Sequence, residues 1–236
     1  MTAALNKLQN DLGYMFRDES LLELALTHSS YAHEHGGDCN ERLEFLGDAL
    51  LDLAAAEFLF TAHPDLPEGQ LTRMRAALVC ESSLCRAEKA LGLGPILRMG
   101  RGEDKTGGRK RPSILADCME ALFAAVYLDS RDGQNAADTV FAVIIRLVFS
   151  EAESVIAENT DYKTLLQETA QKTAGVAVEY KIAGTEGPEH RLEFVAEVYV
   201  GGAVAGTGRG RSKKDAETAA AKDALRGLSG SAGNGA

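Results

Sequence analysis

Apolar residues recur every three or four positions through the first 157 residues, which is the spacing that amphipathic helices require. Turn residues and polar runs interrupt this pattern at several points and divide it into segments. The segments predict six helices, over residues 3–12, 18–26, 40–62, 67–91, 112–129 and 134–150. Polar loops are predicted at 32–39 and 100–111. This part of the chain is therefore predicted to be all-α.

The pattern changes after residue 160. A helix is predicted over 161–174, and the apolar positions then alternate with period two over 176–182 and 192–200, as they do in strands. Glycines at 201 and 202 predict a hairpin turn into a third short strand over 203–208. An alanine-rich helix over 212–228 follows. The second part of the chain is therefore an α-β-β-β-α unit, and the whole is a multi-domain α and α+β protein.

These patterns divide the chain into four regions. We predict an all-α domain over 1–150, a linker over 151–160, the α-β-β-β-α domain over 161–229 and a disordered tail over 230–236. No stretch approaches the ~20 consecutive apolar residues of a membrane span, and the N-terminus has no secretory apolar region. The four cysteines form no Cys-x-x-Cys pair, which favours free thiols and a cytoplasmic location.

Charge is distributed unevenly along the chain. Residues 1–159 hold 25 acids and 15 Lys or Arg, a net charge of −10, whereas residues 160–236 hold 10 of each and are neutral. The acidic total argues against a nucleic-acid partner. The second part nevertheless contains a basic cluster, formed by Arg209, Arg211, Lys213 and Lys214.

The long helix predicted over 40–62 begins with the sequence NERLEFLGDALL. Glu41, Glu44 and Asp48 are three and four residues apart, so they share one helix face. Leucines at helical spacing predict a buried stripe on another face, and these are Leu43, Leu46, Leu50 and Leu53. Three like charges on one face repel each other, so they either point to solvent or bind a cation.

A second acidic pair lies in the most apolar predicted helix, over 112–129. Asp117 and Glu120 are three residues apart and share a face, and acids are rarely buried unless they are paired or bind a metal. If this face opposes the first one, the carboxylates form an all-oxygen site suited to Mg²⁺ or Mn²⁺. Such a site supports metal-assisted phosphodiester hydrolysis. The alternative is two separate solvated acidic faces.

Three other polar features allow two interpretations each. His33 and His35 fall in the loop predicted over 32–39, either as metal ligands or as exposed side chains. The glycine-rich basic loop over 100–111 either contacts phosphate or is a flexible connection. Lys213 and Lys214, at a predicted helix N-terminus, either bind phosphates of A-form RNA or form a solvated helix start.

Several sequence blocks resemble those of known families. Three resemble conserved blocks of bacterial ribonuclease III, and they are NERLEFLGDALL at 40–51, LPEGQLTRMRAALV at 66–79 and PSILADCMEALFAAVYLD at 112–129. Three more resemble a double-stranded-RNA-binding domain, namely KTLLQE at 163–168, GPEH at 187–190 and GTGRGRSKKDAETAAAKDAL at 206–225. The resemblance implies an all-α ribonuclease III endonuclease domain followed by an α-β-β-β-α double-stranded-RNA-binding domain.

The resemblance also implies roles for individual residues. Asp48 and Glu120 match catalytic positions, and Glu44, Asp117 and Glu120 match Mg²⁺ ligands, with Mn²⁺ as an alternative ion. Glu41 and Glu68 match auxiliary acids, although Glu68 is also a plausible helix-start residue. Phe45 matches an aromatic residue at the dimer interface, and its alternative is an ordinary core position. The matching RNA-binding positions are Gln167, Glu168, Pro188, His190, Lys213 and Lys214.

The implied activity is Mg²⁺-dependent hydrolysis of double-stranded RNA by a homodimer, without membrane attachment. Each strand is expected to be cut to leave 5′-phosphate and 3′-hydroxyl ends with two-nucleotide 3′ overhangs, in rRNA precursor and mRNA processing or decay. The alternative is a non-cleaving regulator that binds double-stranded RNA. The presence of all the expected carboxylates favours the enzyme, and the C-terminal domain disfavours DNA as the substrate.

Overall fold

The structure is a computed structural model that describes residues 3–133, 135–159, 161–188 and 192–231. The chain divides into two compact units, Met1–Thr160 and Asp161–Ala236. The described helices of the first unit are α1 Ala3–Leu12, α2 Glu19–Ala25, α3 Ser29–His35, α4 Glu41–Ala62, α5 Glu68–Leu78, α6 Glu81–Leu91, α7 Arg101–Lys105, α8 Pro112–Asp129, α9 Ala136–Leu147 and α10 Ala152–Asn159. Short 3₁₀ turns lie at Gly94–Ile96 and Gly108–Lys110.

Helix α8 is the centre of the first unit. It begins with Pro112 at its first helical position, where the missing backbone N–H is not needed. Most of its residues are buried, as expected for a helix that is apolar on nearly every side. It packs against α4, whose own buried side includes Leu43, Leu50 and Leu51. The two helices that carry the acidic residues therefore lie side by side.

Four local predictions are wrong. The helix predicted over 67–91 is two helices, because the chain is extended at Cys80 and Ser83 Oγ donates to the carbonyl of Ala77 in place of a helical bond. The loops predicted at 32–39 and 100–111 contain the last turn of α3 and all of α7. Leu53 is 55% exposed rather than part of the buried stripe.

The segment predicted as a linker, 151–160, instead contains helix α10. Ala152 and Val155 of this helix are buried in the core of the first unit. Their spacing of three places them on one face, so the segment has a short apolar stripe that packs. At the other end of the chain the last helix continues through Ser231, and residues 232–236 of the predicted disordered tail lie outside the described residues.

One buried acid joins the chain between α1 and α2 to the end of α8. Asp129 is 7% exposed and accepts hydrogen bonds from the Tyr14 hydroxyl (2.7 Å) and the backbone N–H groups of Arg17 (2.9 Å) and Asp18 (2.8 Å). Burial acts to raise the pKa of Asp129, but the hydrogen bonds from Arg17 and Asp18 outweigh it and hold the pKa below its usual value. Asp129 therefore stabilises the fold in its ionised form.

We expect Asp129→Ala to lower the free energy of unfolding by about 3 kcal/mol at pH 7, because three donors lose a charged acceptor. Since the folded-state pKa lies below the unfolded value of about 3.9, the stabilisation is present above that value. It is lost as the pH falls through the folded-state pKa. Urea unfolding at several pH values measures both effects. Asp132→Ala, at an exposed acid three residues away, is the control and should change little.

The second unit has the predicted order of elements. Its elements are α11 Tyr162–Ala174, β1 Val178–Glu186, β2 Glu193–Val200, β3 Ala203–Gly210 and α12 Lys213–Ser231. The strands form an antiparallel sheet in the order β1-β2-β3. Gly208 permits the close approach of α12 to β3, because a Cβ at this position would lie 2.1 Å from the backbone nitrogen of Ala220. Ser212 caps α12 by accepting from the N–H of Asp215.

No helix in the described part of the chain combines the length and the apolar character that crossing a membrane requires. The described cysteines, at 39, 80, 85 and 118, are all free thiols.

Candidate active site

Three carboxylates from the two predicted acidic faces meet between α4 and α8. Glu44 comes from α4, and Asp117 and Glu120 come from α8. Each offers a carboxylate oxygen, and these three atoms all lie within 4.8 Å of one another. All three residues are half-buried. The structure therefore brings the two acidic faces together, and the alternative of two separate solvated faces is wrong.

Gly47 explains how the two helices come close enough. It is buried on α4, one turn after Glu44, and a Cβ at this position would lie 1.9 Å from the carbonyl oxygen of Glu120. Any larger residue would push α4 and α8 apart at the level of the carboxylates. The glycine thus permits backbone-to-backbone packing where Glu44 must meet Asp117 and Glu120.

The crowding of like charges shows most clearly at Glu120. Burial, followed by the nearby charges of Asp48, Asp117, Glu44 and Asp52 in that order, raises the pKa of Glu120 to about 8. Asp48 is exposed and is not one of the three clustered residues, but its charge acts on the same site. Without a cation to balance the charges, this crowding favours the protonated form of Glu120.

The other two clustered carboxyls are shifted in the same direction. Burial raises the pKa of Glu44, and the charges of Asp117 and Glu41 raise it further. Burial also raises the pKa of Asp117, while the nearby His28 opposes this rise and the charge of Glu81 adds to it. The site thus disfavours full ionisation at each of its three members.

The donor set fits a hard divalent cation. Carboxylate oxygens are the ligands that Mg²⁺ and Mn²⁺ prefer, and the clustered group contains no histidine or cysteine. A divalent charge at this position would also remove the repulsion that raises the pKa values of Glu44, Asp117 and Glu120. Those three residues are the ones that would hold the ion.

The auxiliary residues predicted from the sequence lie outside the three-carboxylate group. Glu41 is exposed in the first turn of α4, beside Glu44. Glu68 is exposed at the start of α5, where its carboxylate accepts from the Thr72 hydroxyl at 2.8 Å. Phe45 is 81% exposed, so its alternative interpretation as a core residue is wrong.

The histidines of α3 are not part of the clustered group either. His35 stacks on Tyr31 with ring centroids 4.1 Å apart, and its Nδ1 lies 3.1 Å from the backbone carbonyl of Tyr31. Among the described residues, neither His33 nor His35 joins a group of potential metal ligands.

The predicted RNA-binding residues are distributed over the second unit. Gln167 is exposed and Glu168 half-buried on α11, and Pro188 is exposed after β1. Lys213 and Lys214 are exposed in the first turn of α12, where the helix dipole adds to their positive charge. His190 lies outside the described residues.

Sequence reasoning missed several residues around the site. Gly47 had a usable signal, because it is a lone glycine inside an otherwise strongly helical apolar segment. His28 and Glu81 act on Asp117, and Asp52 acts on Glu120, through contacts distant in sequence. No local sequence pattern indicates such contacts.

Both units match known families. The family described as ribonuclease-III-like matches residues 18–148, and the double-stranded RNA binding motif matches residues 162–228. Ribonuclease 3 of Pelotomaculum thermopropionicum is 48% identical over 224 residues, which cover 94% of this chain and 92% of that protein. Ribonuclease 3 of Listeria monocytogenes is 45% identical over 226 residues, which cover 94% and 96%.

A solved structure shows the same nuclease fold. It is the nuclease domain of ribonuclease III from Campylobacter jejuni, described for structural flexibility in the region involved in its dimer formation. It is 37% identical, covers 66% of this chain and 97% of its own, and superposes with a TM-score of 0.56.

The helical domain with its carboxylate site and the α-β-β-β-α domain define a class of protein, the endoribonucleases that act on double-stranded RNA. Within that class, this chain belongs to the ribonuclease III family. The predicted fold class is thereby confirmed, and so is the resemblance from which the roles of individual residues were taken.

Proposed function

We propose that this protein hydrolyses both strands of double-stranded RNA in a reaction that depends on Mg²⁺, with Mn²⁺ as an alternative. The products carry 5′-phosphate and 3′-hydroxyl ends with two-nucleotide 3′ overhangs. The observation that carries the proposal is the group formed by Glu44, Asp117 and Glu120, whose carboxylate oxygens lie within 4.8 Å of one another. Three acids that repel one another do not stabilise the fold, but their carboxylate oxygens suit a divalent ion.

Each acidic residue has a role in this proposal. Glu44, Asp117 and Glu120 hold the ion, which when bound supplies the positive charge that stabilises a phosphoryl transition state and activates water. Asp48, exposed at the rim, orients the attacking water and accepts its proton, while Glu120 would act in catalysis through the ion that it helps to hold. Glu41, beside Glu44, and Glu68, on α5, are auxiliary acids along the path of the RNA strand.

A homodimer supports cleavage of both strands. Phe45, Leu53 and Phe60 of α4 are 81%, 55% and 74% exposed, and their spacings of eight and seven residues place them on one side of the helix. Exposed apolar side chains in a row favour contact with a second copy of the chain. A two-fold dimer presents the same site to two strands of opposite polarity.

The second unit binds the duplex. Gln167 and Glu168 contact one minor groove, Pro188 and His190 contact the next, and Lys213 and Lys214 contact the phosphates between them. The exposed lysines in the first turn of α12 support this arrangement. We assign the activity to rRNA precursor processing and to mRNA processing or decay in the cytoplasm, where free thiols persist.

We expect the double variant Lys213→Ala/Lys214→Ala to bind duplex RNA about 10- to 100-fold more weakly at moderate salt. Each lost phosphate contact should lower the slope of log K against log salt concentration by about 0.9. Binding titrations at several salt concentrations measure both quantities. Lys89→Ala/Lys172→Ala removes the same charge from exposed positions on other helices and should leave the slope nearly unchanged. An unaltered slope in the first variant would remove these lysines from the phosphate contacts.

The decisive test is cleavage of a labelled RNA duplex by the full-length protein, with and without Mg²⁺. Products should appear only with the ion, and sizing both strands should reveal the two-nucleotide 3′ overhang. Binding without any cleavage in Mg²⁺ or Mn²⁺ would instead identify a non-cleaving regulator.

A further inference from the structure

Two side chains that this chemistry does not use lie beside the carboxylate site. Asp52 is on α4, one helical turn beyond Asp48, and its charge contributes to the raised pKa of Glu120. Nε of Arg75, on α5, lies 3.6 Å from Oδ1 of Asp52. Arg75 therefore places a positive charge beside Asp52, a residue whose own charge acts on Glu120.

Stability does not explain this ion pair. The side chains of Arg75 and Asp52 are 40% and 44% exposed, and a half-exposed pair at 3.6 Å contributes little to the free energy of unfolding. The terminal amino groups of Arg75 form no hydrogen bond with any residue that the structure describes. They are free to donate to a ligand.

The path of the chain keeps Arg75 next to the site. Helix α5 packs against α4, and the chain then turns into α6, whose first residue, Glu81, acts on the charge of Asp117. The segment from Arg75 to Glu81 therefore connects a residue paired with Asp52 to a residue whose charge acts on Asp117.

A phosphodiester strand that enters this site needs a cation nearby. Its anionic phosphates must approach several carboxylates, and a bound divalent ion offsets only part of that negative charge. A guanidinium presents N–H groups in a rigid fork that matches the oxygens of a phosphate. Asp52 approaches Arg75 only at Nε. It can therefore orient the guanidinium group while leaving the two terminal amino groups unoccupied.

We propose that Arg75, tethered by Asp52, positions the RNA strand by donating its terminal N–H groups to a phosphate beside the scissile bond. This inference rests on the proposed function, since it names a further contact of the same site. Asp52 acts through Arg75 and is a positioning residue. Arg75 touches the substrate.

The experiment compares Arg75→Gln, Arg75→Lys, Asp52→Asn and the control Arg131→Gln, at an exposed arginine of the same unit, in the full-length protein with a short RNA duplex and Mg²⁺. Arg75→Gln should lower kcat/KM about 30-fold, because a charged donor pair is lost. Arg75→Lys should recover part of that loss, since it restores the charge but not the fork. The kcat/KM of Asp52→Asn should fall between those of the two Arg75 variants, and the kcat/KM of Arg131→Gln should stay within about threefold of the wild type.

A binding measurement separates substrate contact from a merely structural role. In a Glu120→Gln background, adding Arg75→Gln should lower the salt slope of duplex binding by about 0.9, the value for one phosphate contact. The melting temperature should stay within about 2 °C of that background. Failure of the proposed function would appear in the wild type, which would not cleave the duplex, whereas this binding comparison would still report on Arg75.

Two results would overturn the inference. One is Arg75→Gln cleaving as well as Arg131→Gln. The other is a loss of activity that accompanies a drop in melting temperature while the salt slope stays constant, which would assign Arg75 to the packing of α5.

Discussion

Glu120→Gln should abolish cleavage of duplex RNA, with a loss of at least about 1,000-fold in kcat, while the affinity for the duplex changes by less than about threefold. The glutamine keeps the size of the side chain but removes the charge of one of the three residues that would hold the divalent ion. Binding survives because the second unit supplies its own contacts with RNA. Single-turnover cleavage and an equilibrium binding titration measure the two quantities separately.

A matched variant controls for the change of charge. Glu153→Gln makes the same substitution at an exposed position of α10 and should leave cleavage intact. Equal losses of cleavage and binding in Glu120→Gln would contradict the assignment of Glu120 to the metal site, since they would indicate a general disruption of the fold.

The raised pKa of Glu120 adds a test that needs no substrate. The folded-state pKa, about 8, lies above the unfolded value of about 4.3, so the metal-free wild type loses stability as the pH rises through that window. Glu120→Gln lacks this titration. Without metal it should melt higher than the wild type at pH 8.5, by on the order of 5 °C, and the gap should close toward pH 4.5. Mg²⁺ should raise the melting temperature of the wild type more than that of the variant.

Gly47→Ala should lower the free energy of unfolding by about 3 kcal/mol and kcat/KM by about 100-fold. In an ordinary helix interior the same change stabilises by about 1 kcal/mol, because alanine is the better helix former. Here the new Cβ would lie 1.9 Å from the carbonyl oxygen of Glu120, so α8 must move away from α4. Glu44 then separates from Asp117 and Glu120, and the site loses its geometry. Urea unfolding and steady-state kinetics measure the two effects.

Gly69→Ala is the control for Gly47→Ala. Gly69 lies in the first turn of α5, and a Cβ at this position would meet no atom within 4 Å. This control should be neutral or slightly stabilising, by about 0.5 kcal/mol, with unchanged kinetics. If Gly47→Ala behaved in the same way, the close packing of α4 on α8 would not be what assembles the site.

The order of elements could be read from the sequence because it depends on local periodicity. The spacing of three and four among Glu41, Glu44 and Asp48, and of three between Asp117 and Glu120, placed each group on one helix face without knowledge of the fold. The period-two alternation after residue 176 located the strands, although β1 continues through Glu186 with an irregularity between Ile182 and Gly184.

The predicted segment boundaries were wrong where contacts with other parts of the chain determine them. The break between α5 and α6 depends on Ser83 bonding the carbonyl of Ala77, and α10 replaces a predicted linker because Ala152 and Val155 find a core to pack against. The environment of Phe45 could not be predicted from the sequence for the same reason. Its apolar side chain suits both a core and an interface, and only its 81% exposure decides against the core.

The sequence by itself determined the two helix faces that carry the acids, the α-β-β-β-α order of the second unit and the donor chemistry of oxygen without nitrogen or sulfur. Only the tertiary structure decided that Glu44 meets Asp117 and Glu120. Periodicity defines a face but does not say which face it will meet. That choice depends on Gly47, whose missing side chain lets the backbones of α4 and α8 touch at the level of the carboxylates.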